Sequence, residues 1–145
     1  MKNITILIIL LVFTSLNAMF GQCKTFAKDI CKAELKPYIH DGNYNAAILF
    51  EGESAELYKT FNAGMDYRIV VCSSEIFPKV QFIVKDLNNN VLFDNKTKNY
   101  VNKWDFKLEG TQQLEIDIIV PGPQNQNEEL SSGCVAILFG ILDKK

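Results

Sequence analysis

KWDFKL, residues Lys103–Leu108, and LEIDIIV, residues Leu114–Val120, alternate apolar and polar side chains almost without interruption. Trp104, Phe106 and Leu108 fall on one side of the first segment, with Lys103, Asp105 and Lys107 on the other. In the second, Leu114, Ile116, Ile118 and Val120 oppose Glu115 and Asp117. Successive side chains of a β-strand point to opposite faces, so each segment reads as a strand with one face on a core and one in water. Glu109-Gly110 between them reads as a turn.

The same grammar extends in both directions. Upstream, Tyr67–Cys72 (YRIVVC) is rich in β-branched residues, and Val80–Asp86 (VQFIVKD) follows Pro78. Leu87-Asn88-Asn89-Asn90 turns that run into Val91–Asp94. Further back, Ala46–Phe50 and Ser54–Phe61 are two more strands joined by Glu51-Gly52-Glu53, and Asn62-Ala63-Gly64 marks the next turn. Downstream, Pro121–Gly133 is polar and long for a connection. Cys134–Leu142 (CVAILFGIL) is apolar at nearly every position, which predicts an interior strand covered on both faces. About eight strands at this spacing predict an all-β fold, an antiparallel, jelly-roll-like β-sandwich.

Before the strands, Phe26, Ala27, Ile30, Cys31 and Leu35 recur at helical spacing, predicting one short helix over Cys23–Lys36 that docks by one face and stops at Pro37. Tyr38–Asn45 then reads as a loop rich in turn formers. At the start of the chain, Lys2 precedes an apolar run of 13 residues, Ile4–Leu16, and the layout is that of a signal peptide cleaved after Gly21 or Gln22. A membrane-spanning helix needs about 20 apolar residues. Phe20-Gly21-Gln22 is unlike the lipobox of bacterial lipoproteins, because Gln22 stands where a small residue is wanted, so neither a lipid on Cys23 nor membrane attachment is expected after cleavage. The domains expected are a signal peptide over 1–22, a helix and loop over 23–45 packed on the rest, and a β-sandwich over 46–145.

Removing Lys2 with the signal leaves 14 basic residues against 17 acidic ones, a net charge of about −3. Nucleic acid is therefore not an expected partner, since phosphate binding needs a concentrated positive field. The four cysteines, Cys23, Cys31, Cys72 and Cys134, should form two disulfides in an oxidising compartment. A helix running through Cys23 and Cys31 holds their Cα atoms about 12 Å apart, beyond the roughly 7 Å a disulfide tolerates. Each is thus expected to bond to one of Cys72 and Cys134, stapling the helix across the sheet.

Candidate chemistry is sparse. His40, the one histidine, adjoins Asp41 as a base beside a carboxylate would, although neighbours in an extended loop point apart. Tyr38 and Tyr44 flank that pair, and the four residues form the candidate ligand-binding loop, with the tyrosines available for stacking. Asp86, Asn88 and Asn90 occupy the first, third and fifth positions of a calcium loop, but Val91 stands in place of its glycine and Thr97 in place of its bidentate Glu. A hairpin turn accounts for the same residues more simply. One histidine and these cysteine spacings match no zinc pattern, the Gly-x-Ser-x-Gly motif is absent, and no cofactor is expected. Asn95-Lys96-Thr97 matches a glycosylation acceptor.

Phe61-Asn62-Ala63-Gly64, then Tyr67-Arg68-Ile69-Val70-Val71 and Val80–Asp86, resembles the core of small jelly-roll modules such as the prepeptidase C-terminal domains of secreted bacterial hydrolases. The start of the mature chain is also similar to a class of small exported bacterial proteins with a C…C…PY.HDG pattern. These resemblances imply fold and not activity. The expected function is that of a periplasmic or extracellular non-enzymatic module, a monomer binding a protein, peptide or glycan through loops on a rigid scaffold. The alternatives are a carboxylate-pair hydrolase such as a glycosidase and a structural envelope component.

Overall fold

The computed structural model describes residues 18–123 and 129–143. Most of the expected signal segment, residues 1–17, and the centre of the long polar loop, 124–128, lie outside the described residues. Among the described residues nine strands follow an N-terminal helix: β1 Ile39–His40, β2 Asn45–Phe50, β3 Ser54–Phe61, β4 Asp66–Ser73, β5 Gln81–Asp86, β6 Val91–Asp94, β7 Lys103–Lys107, β8 Gln112–Ile119 and β9 Ser132–Ile141. All pair antiparallel, in two sheets.

The pairing is nested. β2 lies on β9, β3 on β8, β4 on β7 and β5 on β6, as if one long hairpin had been wrapped on itself. Contacts of β9 with β4 and of β8 with β5 close the wrap into a first sheet, β2-β9-β4-β7, and a second, β3-β8-β5-β6. That order is the jelly-roll arrangement of a sandwich. The edge strands of the two sheets therefore face one another as two seams, β2 with β3 on one side and β6 with β7 on the other.

Leu114, Ile116, Ile118 and Val120, which alternation sets on one face, are buried between the sheets, where Phe61, Ile69, Phe82 and Val84 join them and Phe139 comes from β9. Each such side chain contributes roughly 1.5 to 3 kcal/mol by leaving water. Trp104 and Phe106 are only half-buried, because β7 is an edge strand. β9 is covered on both faces, as its composition required. Val135, Ile137 and Phe139 point between the sheets, while Ala136 and Leu138 meet the helix on the outside.

The helical segment departs from the continuous helix expected over Cys23–Lys36. Helix α1 spans Ala18–Asp29, and a separate 3-10 turn covers Cys31–Leu35. The expected cleavage point falls within α1. Cys23, Ala27, Cys31 and Leu35 are buried against the first sheet, but Ile30, at the break, is 57% exposed and does not dock. Two disulfides fasten this layer: Cys23–Cys134 and Cys31–Cys72, with Cα atoms 5.2 and 5.8 Å apart. Each N-terminal cysteine thus bonds to one sheet cysteine, as expected. Arg68 adds a polar clamp, pairing through Nε and NH2 with both oxygens of Asp105 at 2.6 Å and donating through NH1 to the Lys36 carbonyl at 2.6 Å.

β1 lies within Tyr38–Asn45, where the sequence alone predicts loop. The long β9 gives residues 132–137 to β2 and leaves its far end open on that edge, where Ile39 and His40 pair with Ile141 and Gly140. Among the described residues no helix is long and apolar enough to cross a membrane.

Candidate functional site

Three of the four loop residues singled out in the sequence come together. Asp41 Oδ1 accepts from the Asn43 amide at 2.9 Å, which folds the loop back on itself around Gly42, at φ +97°. His40 Nε2 donates to the Asn43 carbonyl at 3.0 Å, and the imidazole packs on Tyr44 with ring centroids 4.4 Å apart. The histidine is thereby tied to its own turn, with the Asp41 carboxylate 3.8 Å from Nε2. Tyr38 lies elsewhere. It supports the Arg68 guanidinium, 4.5 Å above its ring, on the outer face of the first sheet.

Asp41 also reaches across the sandwich. Its Oδ2 accepts from Lys59 Nζ at 2.8 Å, and Lys59 comes from β3 of the other sheet. Burial pushes the Asp41 carboxyl up, but the hydrogen bonds from Lys59 and Asn43 outweigh it and hold the group below its ordinary value. In the inward set Ala55, Leu57, Lys59 and Phe61, the lysine is the one charge, and its ammonium lies 4.7 Å over the Phe139 ring. An inward charge on an edge strand opposes further pairing there. Lys59–Asp41 therefore closes one end of the β2/β3 seam.

Cavities open on either side of this closure. One, of about 450 Å³, lies beyond it, between Ile39, His40 and Asp41, the Gly64–Met65 turn and the end of β9. The other, of about 400 Å³, runs along the seam itself between Ala47 and Leu49 of β2 and Ala55 and Leu57 of β3, with Ile118 and Ile137 at its floor and Tyr44 at its rim. In the sequence the alanines that line this groove read as core, and a local sign of the open edge is Lys59 at an inward position of β3.

The residues weighed as a calcium loop sit at the β5–β6 turn, apart from both cavities. Asp86 Oδ1 accepts from the Asn88 and Asn90 amides at 2.8 and 2.9 Å, and Oδ2 accepts from the Asn90 side chain at 2.8 Å. These bonds hold the Asp86 carboxyl below its ordinary value, the Asn90 side chain contributing most. Among the described residues the carboxylates that converge are others: Glu56, Glu115 and Asp117, with ligand oxygens within 4.8 Å of one another on the outer face of the second sheet. Lys85 occupies that group, 2.9 Å from Glu115 and 2.6 Å from Asp117, and the bonds to Asp117 and Glu115 hold its ammonium well above the usual range. Asn95, of the glycosylation-like triplet, is buried. Its amide donates to the Val80 and Val101 carbonyls and accepts from the Phe82 amide, a fixture of the fold.

The described residues form a disulfide-stapled β-sandwich with a groove along its β2/β3 seam, bordered by a pinned loop. No protein-family model matches the chain, and no curated protein matches it. Among solved structures, PliG of Aeromonas hydrophila, a periplasmic lysozyme inhibitor of g-type lysozyme, aligns with a TM-score of 0.51 at 10% identity, over 74% of this chain and 90% of its own. At that identity the likeness is one of fold.

Proposed function

We propose that the chain is an exported, non-enzymatic binding protein that engages a partner protein at the β2/β3 side of its sandwich. The observation that carries this reading is the pair of cavities flanking the pinned loop His40–Tyr44, mounted on a frame that two disulfides hold rigid. Loops and edges fixed to a stiff scaffold bind without a large ordering cost. Two disulfides accord with an oxidising compartment, periplasmic or extracellular. The fold shared with an inhibitor of g-type lysozyme adds a concrete first partner to test, a glycan-cleaving enzyme of that kind.

The test is to mix the mature chain with g-type lysozyme, and with lysozymes of other types, following complex formation by size exclusion and turnover by cell-wall lysis. A one-to-one complex with loss of lysis is the expected result. Glycan hydrolysis by the chain itself, abolished in Glu115→Gln, would overturn the non-enzymatic reading and move the site to the carboxylate group on the second sheet.

A further inference from the structure

We infer that the β2/β3 groove receives an extended segment of the partner, which adds as a strand to the free edge of β3 and alternates apolar side chains with Lys or Arg. The inference rests on the protein-binding reading above and specifies its mode and chemistry. β3 pairs with β8 on one edge only, and its other edge borders the groove. A strand carries an unmet row of backbone donors and acceptors on such an edge, which an incoming chain satisfies. Small residues leave room beside it: Ala47 and Ala55 face each other across the seam with the core residues Ile118 and Ile137 behind them. Lys59 blocks the distal half of β3, so the space available is the stretch Ser54–Tyr58.

Charge fixes the sign of the occupant. On the outer face of the second sheet, Glu56 of β3 lies directly opposite Asp117 of β8, and Tyr58 opposite Glu115. Like charges opposed across a ladder are unfavourable, and opposite charges there stabilise. The cation of the group, Lys85, stands on β5 and serves Asp117 and Glu115. Among the described residues Glu56 makes no ion pair. An added strand would set its outward side chains beside Glu56, so a Lys or Arg there would complete the row on its open side, while inward Val- or Leu-sized side chains enter the groove. A second copy of this chain is a poor occupant, because it would bring its own Glu56 to the same edge.

The experiment uses the mature chain and short capped peptides alternating Val with Lys or Val with Glu, with binding followed by fluorescence anisotropy. The Val–Lys peptide is expected to bind at least about tenfold more tightly than the Val–Glu peptide, and methylating alternate backbone amides of the former should cost about tenfold, as strand addition requires. Glu56→Lys, an exposed change that leaves the core untouched, should reverse the preference between the two peptides. Ala55→Trp should fill the groove and abolish binding. Equal affinity for both peptides, no binding of the Val–Lys peptide, indifference to backbone methylation or to either variant, or a dimer that Ala55→Trp dissolves would each overturn the inference. A partner protein held equally by wild type and Ala55→Trp would overturn it too while leaving the protein-binding reading standing. A wild-type chain that holds no lysozyme yet shows the peptide selectivity would separate the two the other way.

Discussion

Along the β6/β7 seam, Phe93, Trp104 and Phe106 stack ring on ring, with centroids 5.1 and 4.3 Å apart, and Phe82 continues the stack into the core at 5.1 Å from Phe93. Along the β2/β3 seam the facing positions are Ala47 and Leu49 of β2 and Ala55 and Leu57 of β3, and a groove of about 400 Å³ remains. Both seams arise from the same wrapped hairpin, so topology does not distinguish them. Side-chain volume does. Large aromatics bridge the roughly 10 Å between packed sheets, whereas alanine reaches too short a distance to meet its opposite number. On the open side the bridging is done at one end by a charged pair, Lys59–Asp41.

The difference can be broken at several points, with effects of decreasing size. The largest concerns the wall behind the open seam. Cys134 sits opposite Ile48 of β2, and its disulfide to Cys23 pins α1 against that strand. Replacing Cys23 and Cys134 together by Ala should cost about 3 to 5 kcal/mol in urea unfolding, given the length of the loop closed. Hydrogen exchange should then accelerate in β2 more than in β6 or β7. Next is the closed seam. Trp104→Ala removes the middle of the aromatic stack and should cost about 3 kcal/mol, at the low end for such truncations because the ring is half-buried. Thermal and urea unfolding measure it, and a loss under about 0.5 kcal/mol, the size of an ordinary surface change, would deny the stack its role.

Smaller effects sharpen the contrast. Asp41→Asn weakens the bridge to Lys59 and should cost about 1 kcal/mol at neutral pH, allowing for solvent screening of a pair at the edge. Because the folded-state carboxyl titrates below its ordinary value, the native contribution is present above about pH 4 and is lost as pH falls through the lowered value. Acid unfolding followed by fluorescence should therefore show a shallower decline in the variant than in wild type. Last, Ala55→Val adds methyl groups to open space on a strand. It should change stability by no more than about 0.5 kcal/mol, in either direction.

Alternation marks β7 and β8, β-branched composition and flanking turn residues mark the other long strands, and β9 reads as interior because both its faces are apolar. β1 has two residues, too few for a period to exist. The break of the helix at Ile30 was invisible for a different reason: the spacing of Cys31 and Leu35 suits an α-helix, and the turn forms where the chain must leave α1 to bond Cys72 and enter β1. At the site, His40, Asp41 and Tyr44 were recognisable as unusual loop residues, yet the groove beside them was not. Which strands become edges follows from the nested pairing, a long-range property, and the alanines of an edge look like those of a centre. One local sign was present. Lys59 interrupts the inward set of β3, and a charge at an inward position marks an edge strand.

The proposed docking side is the β2/β3 seam and not the aromatic one. Hydrogen exchange of the mature chain with and without saturating Val–Lys peptide tests it directly. Slowed exchange is expected at amides of residues 54–58, with residues 91–94 and 103–107 unchanged. Protection of the β6 and β7 amides instead, with 54–58 unaffected, would contradict it.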